Sequence, residues 1–485
     1  MSADLHLRGV DLLVAPGDLR PGVDVTIRAG RVAAIEPAGT VAPPAGVESL
    51  AGGGLLAMPG LVNAHTHSPE NPLRGLADGL ALEPWLAYLM GDCGLYDAED
   101  HYWCAMASAV EGLLGGTTAI LDHLWMTPPT PEAIDGAMRA YRDVGIRGGV
   151  APLLDDVDGY VDLARRHGID VGHHSLLPLP PFLPTGDLIA LTDEAMSRWH
   201  GADDGRLRVI AGPGGIQWAS DELMVGLAQT ARTHGTTLQI HLLETRLQDA
   251  VCRLRYGHSG VRALDELGVL GPDVSLAHAV WVDDEDIARI ADRGAMVAHN
   301  PAANLRLRSG RAPIPRFLQA GVDVAVGTDG AASSDDQSTW LAMRLAALVH
   351  REPDQWVTTA QALTMATTAG ARALGIADLG TLEVGAIADV ALLDRTATGL
   401  AGAFDLEPAL VLSETGAGVR HVVVGGVVVV RDGRCTTIDE DAVRVALVEQ
   451  VAKRQGSVDV TLARRMAAKA EELRVAVARA AIADA

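Results

Sequence analysis

Lysine is almost absent from this sequence. Lys453 and Lys469 are the only two among 485 residues, and the other 37 of the 39 basic residues are arginines. Surplus positive charge is missing as well. The formal net charge is −23, which excludes the basic footprint that nucleic acid or an anionic membrane surface requires. Cysteine is scarce: Cys93, Cys104, Cys252 and Cys435 are scattered, with no C-x-x-C pair. That pattern reads as reduced thiols and not as a disulfide framework. No run of eighteen apolar residues suggests a membrane span, and no basic segment leading into an apolar one opens the chain. The expectation is a cytoplasmic protein. Hydrophobic residues make up 48% and charged residues 21%, the balance of an ordinary soluble enzyme.

The chain is longer than one compact core usually serves, so a large domain plus a smaller unit is expected. Residues 4–38 alternate short β-type runs with turns, and "GTLEVGAIADVALLD" (380–394) and "HVVVGGVVVVRDGR" (421–434) read the same way. These segments are expected to meet in one small sheet or sandwich, because lone hairpins are marginal. Between them eight short apolar runs recur: "GLVNAHTH", "TTAILDH", "IRGGVAP", "LRVIAGP", "TLQIHL", "DVSLAH", "AMVAHN" and "VDVAVGTD". Helix-period stretches such as "DDEDIARIADRG" separate most of them. Continuous apolar strands alternating with helices imply a parallel sheet covered by helices. Eight units over about 300 residues point to an α/β fold of the (β/α)8 TIM type, with an open doubly wound sheet as the alternative. The expected division is 1–57 and 376–436 as two parts of a small β-sandwich domain, 58–375 as the barrel, and 437–485 as a helical tail. The tail reads as a surface or oligomer-contact element.

Several of these strands end in a residue able to bind a metal. His65 and His67 stand at i and i+2, hence on one face of a strand. His241 ends the fifth run, His278 the sixth and Asp329 the eighth. In a barrel these ends converge on one rim. Imidazoles and a carboxylate around an open position make a catalytic-type site for zinc or a similar divalent ion. A single H-x-H is weak, but five such residues at strand ends are hard to dismiss. Glu244, three residues after His241, reads either as part of that site or as a first-turn carboxylate favoured by a helix dipole. His278 has its own bland reading, a satisfied buried histidine.

The stretches "PGLVNAHTHSPENPLRGLADGL", "HLLET", "LAHAVWV", "VAHNPAANLRLRSGRAPI" and "VAVGTDGAASSDD", taken in order, resemble the amidohydrolase superfamily. The likeness is greatest to its branch of cytosine, guanine and S-adenosylhomocysteine deaminases and triazine hydrolases. The resemblance implies a barrel with one catalytic metal held by His65, His67, His241 and Asp329. It implies that Glu244, His278 and Asp329 are the catalytic residues, acting on the metal-bound water and the substrate. Zn2+ is the expected ion, with Fe2+ as the alternative. Asp329 can take the water's proton, His278 can orient the hydroxide, and Glu244 can carry the proton to a ring nitrogen and then to the leaving amine. Binuclear members usually bridge two metals with a carboxylated lysine. No lysine occurs between residues 1 and 452, so a single-metal site is expected unless Glu, Asp or Cys substitutes.

Substrate-binding candidates are Glu70, Asn71 and Trp85, with Arg74 on the rim; His123 at the end of the second strand; Gln217 and Trp218 after the fourth; and Asn304. His299 is ambiguous, and His173 and His174 read as solvated loop residues. In adenosine-type members of the branch an acidic residue often precedes the matching Trp and binds ribose. Here that place is Pro84, with Glu83 one earlier, which puts a nucleoside substrate in doubt. The leading expectation is a metal-dependent aminohydrolase whose metal-bound hydroxide releases ammonia from the cyclic amidine of a purine, pterin, pyrimidine or triazine. A hydrolytic dechlorinase or a cyclic-amide ring-opening hydrolase could use the same residues. A non-catalytic scaffold is the remaining class, although no expected ligand is missing. The expected partner is a small heterocycle, with no nucleic acid or membrane, and a homo-oligomer is expected from the resemblance.

Overall fold

The computed structural model describes residues 3–92, 96–170, 182–455 and 460–483. His173, His174 and Cys93 lie outside the described residues. The chain begins with β1 (Leu5–Ala15), β2 (Asp18–Arg28), β3 (Arg31–Pro37), β4 (Glu48–Ala51) and β5 (Leu55–Pro59). All eight apolar runs of the middle segment are strands: β6 (Leu61–Thr66), β7 (Thr117–Trp125), β8 (Arg147–Leu153), β9 (Leu207–Val209), β10 (Leu238–Leu242), β11 (Val274–His278), β12 (Met296–His299) and β13 (Val324–Val326). Four more follow: β14 (Val390–Asp394), β15 (Val419–Val424), β16 (Val427–Arg431) and β17 (Arg434–Cys435).

The fold is α/β with parallel sheets. β6 to β9 form one four-stranded parallel sheet and β10 to β13 another. Every residue of β6, β7, β10 and β11 is buried, as strands covered on both faces must be. Alternation along them sorts the side chains into two cores. Leu61, Ile120, Val150, Ile240, Leu276 and Val324 pack into the large core that includes the helices. Val62, Ala64, Ala119, Ala151, Met296 and Ala325, drawn from both sheets, share a second core of mostly small side chains.

The chain ends meet in a second β unit. Its nine strands run β17-β16-β15-β14-β5-β1-β2-β3, with β4 also on β1. The expected sandwich is therefore corrected to one branched sheet. At eleven residues β1 is long enough to take β4 beside Leu5–Arg8 and β5 beside Asp11–Leu12, while β2 occupies its other edge. Gly60 passes the chain from this sheet into β6. A Cβ there would stand 2.1 Å from Thr118 Oγ1, so the two sheets approach as closely as they do only because the residue is glycine.

The tail is also corrected. Helix Val460–Ala483 buries Ala470 and Leu473 in a cluster with Ala87, Tyr160 and Leu247, so it backs helix Leu82–Asp92 and is no mere surface appendage. Helix Glu440–Gln455 is tied down by Lys453 and Arg454, whose cations meet Asp100 at 2.7 and 2.8 Å. Among the described residues no helix is long and apolar enough to cross a membrane.

One buried ion pair joins the parallel sheet to the nine-stranded one. At the start of β8, Arg147 donates to Asp389 through Nε at 3.0 Å and Nη2 at 2.9 Å, and Asp389 also accepts Gly425 N–H at 2.8 Å. The two side chains are 7% and 0% exposed, so truncating one strands the other's charge away from water. Arg147→Met is expected to cost about 3–5 kcal/mol, read as a lowered urea midpoint at unchanged m-value. A loss below about 1 kcal/mol, the scale of an exposed pair, would show that the sheets do not depend on it.

Candidate metal centre and active site

The site is built where the parallel strands end. His65 and His67 leave β6, His241 lies in β10, His278 closes β11, and Asp329 follows β13. The backbone turns sharply there: Leu243, His278 and Asp329 adopt φ of 48°, 74° and 62°. Left-handed conformations cost non-glycine residues energy and persist where surrounding structure imposes them, often at functional sites.

Each imidazole is held by its Nδ1. His67 donates to the carbonyl of His123 at 2.6 Å and His241 to that of Gly214 at 2.6 Å. His65 Nδ1 meets Gln239 Oε1 at 2.7 Å, while the Gln239 amide nitrogen donates to Ala64 O at 2.9 Å. A carbonyl oxygen only accepts, so the proton sits on Nδ1 and the Nε2 lone pairs turn inward. His67 Nε2 and His241 Nε2 then face each other at 3.2 Å, and Asp329 Oδ1 stands 3.3 Å from His67 Nε2 and 3.7 Å from His65 Nε2. His65 Nε2 is buried with no hydrogen-bond partner among the described residues.

The donor atoms of His65, His67 and Asp329 lie within 4.8 Å of one another, as do those of His65, His241 and His278. Lone pairs and a carboxylate so close are repulsive unless a cation stands among them. The donor set of imidazole nitrogens and one carboxylate oxygen suits a divalent ion such as zinc, so the residues fit the implied metal. Electrostatics differ among these groups. Burial pushes the His65 pKa down to about 3, keeping its imidazole neutral. Burial opposes charge on His67 too, but Asp329 and Glu70 outweigh it and shift its pKa upward. Burial also disfavours the Asp329 carboxylate, yet His278, His67 and His65 hold its pKa below the ordinary value.

Two further groups border this centre. His278 turns Nε2 toward Asp329 Oδ2 at 3.8 Å and Nδ1 toward Glu244 Oε1 at 3.7 Å. Its Nδ1 is held by Asn304 Oδ1 at 2.8 Å. Glu244 is not in a helix first turn: helix Arg246–Tyr256 starts after the N-cap Thr245. Glu244 N–H donates to Gln248 Oε1 at 2.7 Å, and Ser309 Oγ donates to Glu244 Oε1 at 2.7 Å. Burial raises the Glu244 pKa and Asp329 adds to the rise, while His278 opposes it.

A cavity of about 710 Å³, its open mouth included, lies over these groups. His67, His241, His278, Asp329 and Glu244 line it together with Glu70, Trp85 and Trp218 from the substrate candidates. Glu70 Oε2 also accepts the N–H groups of Ala332 and Ser333 at 2.9 and 2.8 Å. A Cβ at Gly330 would overlap that carboxylate.

The other candidates do not line this cavity. Asn71 spends its amide on Ser68 O, Cys104 O and Ser108 Oγ. His123 stacks behind His241, centroids 4.8 Å apart, and lends its carbonyl to His67. Gln217 packs over Gly215. Asn304 positions His278. Arg74 pairs with Glu111, and His299 meets His350 at 3.1 Å. Glu83 is buried, accepting hydrogen bonds from Thr245 Oγ1 and, at 3.5 Å, Tyr160 OH. Sequence reasoning missed Gln239 and Ser309, which act through other side chains, and Asp155, Trp125 and Leu307, which line the cavity. Asp155 alone had a signal, an acid just past a strand end.

Comparison with known proteins agrees with the geometry. The model of the amidohydrolase family matches residues 56–429. A 5'-deoxyadenosine deaminase of Methanosarcina mazei is 33% identical over 396 residues, covering 80% of this chain and 84% of the relative. A 5-methylthioadenosine/S-adenosylhomocysteine deaminase of Desulforudis audaxviator is 34% identical over 437 residues, covering 89% and 94%. Among solved structures, a mutant atrazine chlorohydrolase of Arthrobacter aurescens complexed with zinc and atraton superposes with a TM-score of 0.84 at 27% identity, covering 92% of this chain and 100% of that one. An adenosine deaminase of Xanthomonas campestris with bound zinc shares the fold at a TM-score of 0.82 and 24% identity, covering 94% and 99%. With more than half of its length matched by the family model, the chain belongs to the amidohydrolase family.

Proposed function

We propose that this protein is a metal-dependent aminohydrolase that releases ammonia from the cyclic amidine of a nitrogen heterocycle. The observation that carries the reading is the placement of Glu244: a buried carboxyl fixed by Ser309, 3.7 Å from His278 and beside the convergent ligands. The deaminase names of the relatives that this chain resembles support it. The ligands are His65, His67, His241 and Asp329, for one ion. Zinc is the choice that the zinc-bearing neighbours favour, with iron(II) as the alternative. We also take the two parallel sheets as halves of one (β/α)8 barrel spanning 58–375. Backbone bonds from Ala211 N–H to Thr237 O and from Gln239 N–H to Ala211 O support one seam, and Asp329 N–H to His65 O the other. The chain ends then form the small β domain, 1–57 with 376–436.

A bound divalent ion supplies a water whose pKa falls to about 7, so that a nucleophile is available at neutral pH. The chain's residues do the rest. Asp329 takes the attacking water's proton. His278, fixed by Asn304, stands between the Asp329 and Glu244 carboxyl groups and orients the nucleophile. Glu244, its pKa raised by burial, protonates the ring nitrogen during attack; as the C–N bond breaks, the proton that Asp329 took goes to the leaving amine and the added hydroxyl's proton returns to Glu244. The cavity walls exclude bulk water from these transfers. The 0.84 TM-score to an atrazine chlorohydrolase favours one rival, hydrolytic release of chloride from a triazine at the same site. Mass spectrometry of the products separates loss of ammonia from loss of chloride.

Glu244→Gln is expected to keep its metal and lose about 10²–10⁴-fold in turnover. His241→Ala is expected to lose both. Ammonia release across purines, pterins, pyrimidines and triazines, with metal content by plasma emission, checks this. Undiminished turnover in Glu244→Gln would sink the shuttle role.

Glu83 lies under the Glu244 turn and titrates in the working range. Burial pushes its pKa up to about 7 and Glu244 adds to the shift, while Thr245 opposes it. The folded protein then holds a proton that the unfolded chain gives up from its ordinary value of 4.5 upward. The unfolded state binds fewer protons in that interval, so this group's contribution to stability is lost as pH rises from 4.5 to about 7. Glu83→Gln removes the dependence. Its stability relative to the parent protein is expected to improve steadily over that interval in paired urea melts, and a pH-independent difference would count against a buried, proton-holding Glu83.

A further inference from the structure

The cavity over the metal centre is lined by four carboxylates, Glu70, Asp155, Glu244 and Asp329, and by no lysine or arginine among the described residues. Three of the four have partners. Asp329 faces His65 and His67 and accepts Gly330 N–H, Glu244 is bound by Ser309, and Glu70 accepts two backbone N–H groups. Asp155 differs. It stands two residues past β8 in "LDDVD". There Asp156 accepts from Ser220 N–H, Ser220 Oγ and Thr185 Oγ1 at 2.6, 2.6 and 2.7 Å, and Asp158 caps helix Gly159–Arg166. Those two acids are structural. Asp155 Oδ1 is shut off from solvent and has no hydrogen-bond partner among the described residues.

Room has been made for this carboxylate. A Cβ on Gly214 would stand 2.0 Å from Asp155 Oδ1, and Gly214 is the residue whose carbonyl holds His241. Asp155 is thus placed beside the metal centre but does not share in it. The remaining wall is apolar and aromatic, with Leu82, Leu89, Leu307 and three tryptophans, Trp85, Trp125 and Trp218. Burial, with Asp156 and Asp158 behind it, drives the Asp155 pKa well above its ordinary value. A carboxylate oxygen shut off from solvent without a partner costs free energy that a cationic partner offsets, and tryptophan faces attract the same cations.

We propose that this cavity selects amino-heterocycles that also carry an ammonium group, primary or methylated, which pairs with Asp155 between the tryptophans, and that it rejects anionic analogues. The inference rests on the aminohydrolase reading of the same cavity. Asp155 is here a specificity-determining residue that touches substrate away from the bond that breaks.

The test uses the metal-loaded Glu244→Gln protein, which binds without turning over. The probes are adenine carrying an aminopropyl, a butyl or a carboxyethyl chain on its imidazole nitrogen, and a diaminotriazine carrying the same three chains. By titration calorimetry at neutral pH the aminopropyl probe is expected to bind about tenfold tighter than the butyl probe on at least one ring, and the carboxyethyl probe about tenfold weaker, each step worth about 1.4 kcal/mol. Adding Asp155→Asn should erase the aminopropyl advantage and leave butyl affinity within about threefold, since the apolar contacts with the cavity wall are untouched. Asp155→Ser serves if the asparagine variant fails to accumulate. Equal affinity for the three chains, no binding of either aminopropyl probe, or a preference that survives loss of Asp155 overturns the proposal. Ammonia release by the parent protein is measured separately. A charge preference without ammonia release sinks the aminohydrolase reading alone, and release without charge preference sinks this inference alone.

Discussion

The site depends on where three imidazole protons are held. His65, His67 and His241 each give Nδ1–H to an acceptor outside the centre, and two of those acceptors are backbone carbonyls, His123 O and Gly214 O. A backbone carbonyl cannot turn away without moving its strand or turn. The tautomers, and with them the inward lone pairs, are therefore fixed by the packing of one strand end against the next. The apposition of His67 and His241 at 3.2 Å would be unfavourable in a protein that bound no cation. Here it is imposed by neighbours whose own positions are settled by burial of β6, β7 and β10 in the core. The positive φ values of Leu243, His278 and Asp329 belong to the same economy: local strain is carried because the strands around it are over-determined.

Charge then separates two parts of one cavity. Around the convergent histidines Asp329 faces His65, His67 and His278 and accepts Gly330 N–H, and a cation among them would relieve the remaining lone-pair repulsion. Along the wall the balance fails at Asp155, whose Oδ1 is shut off from solvent with no hydrogen-bond partner among the described residues. A carboxylate oxygen taken from water without a partner is destabilising. Removal from water keeps the His65 imidazole neutral, and under our proposal it is also what makes the shielded oxygen of Asp155 receptive to a positive charge.

Much of this was legible in the sequence. The eight strands were, because apolar runs of four to eight residues between helix-period segments leave little choice but a buried parallel sheet. The convergence of His65, His67, His241, His278 and Asp329 was, because each lies at a strand end and H-x-H puts two on one face. The sandwich was misjudged because alternation along β1 does not reveal that one strand is long enough to pair with three others. The substrate candidates were less legible. Asn71, His123, Gln217 and Asn304 are polar residues near strand ends, as Trp218 is, but which way a loop side chain turns depends on tertiary partners. Asn71 is claimed by Cys104 and Ser108, residues of a helix over thirty positions later. Ser309 and Gln239 act only through another side chain, and no local pattern marks such a role.

The residues proposed for the chemistry and those of the binding wall lie on different elements. The ligands, His278 and Asp329 sit at strand ends and are tied to one another through the backbone. The wall is drawn from helix Leu82–Asp92, from the turn after β8 that carries Asp155, and from Leu307 in a loop. Helix Leu82–Asp92 is in turn backed by helix Val460–Ala483, the last element of the chain. A change in the tail helix can therefore shift Leu86, Leu89 or Trp85 without touching a ligand, and a change at Asp155 can alter the charge of the wall without touching the proton route. Glu83 shows the coupling that remains. It lies in the wall helix, yet its hydrogen bond with Thr245 reaches the residue next to Glu244, so the wall and the turn that carries Glu244 share one buried contact. Substitutions that retune the wall are tolerated to the extent that they leave that contact in place.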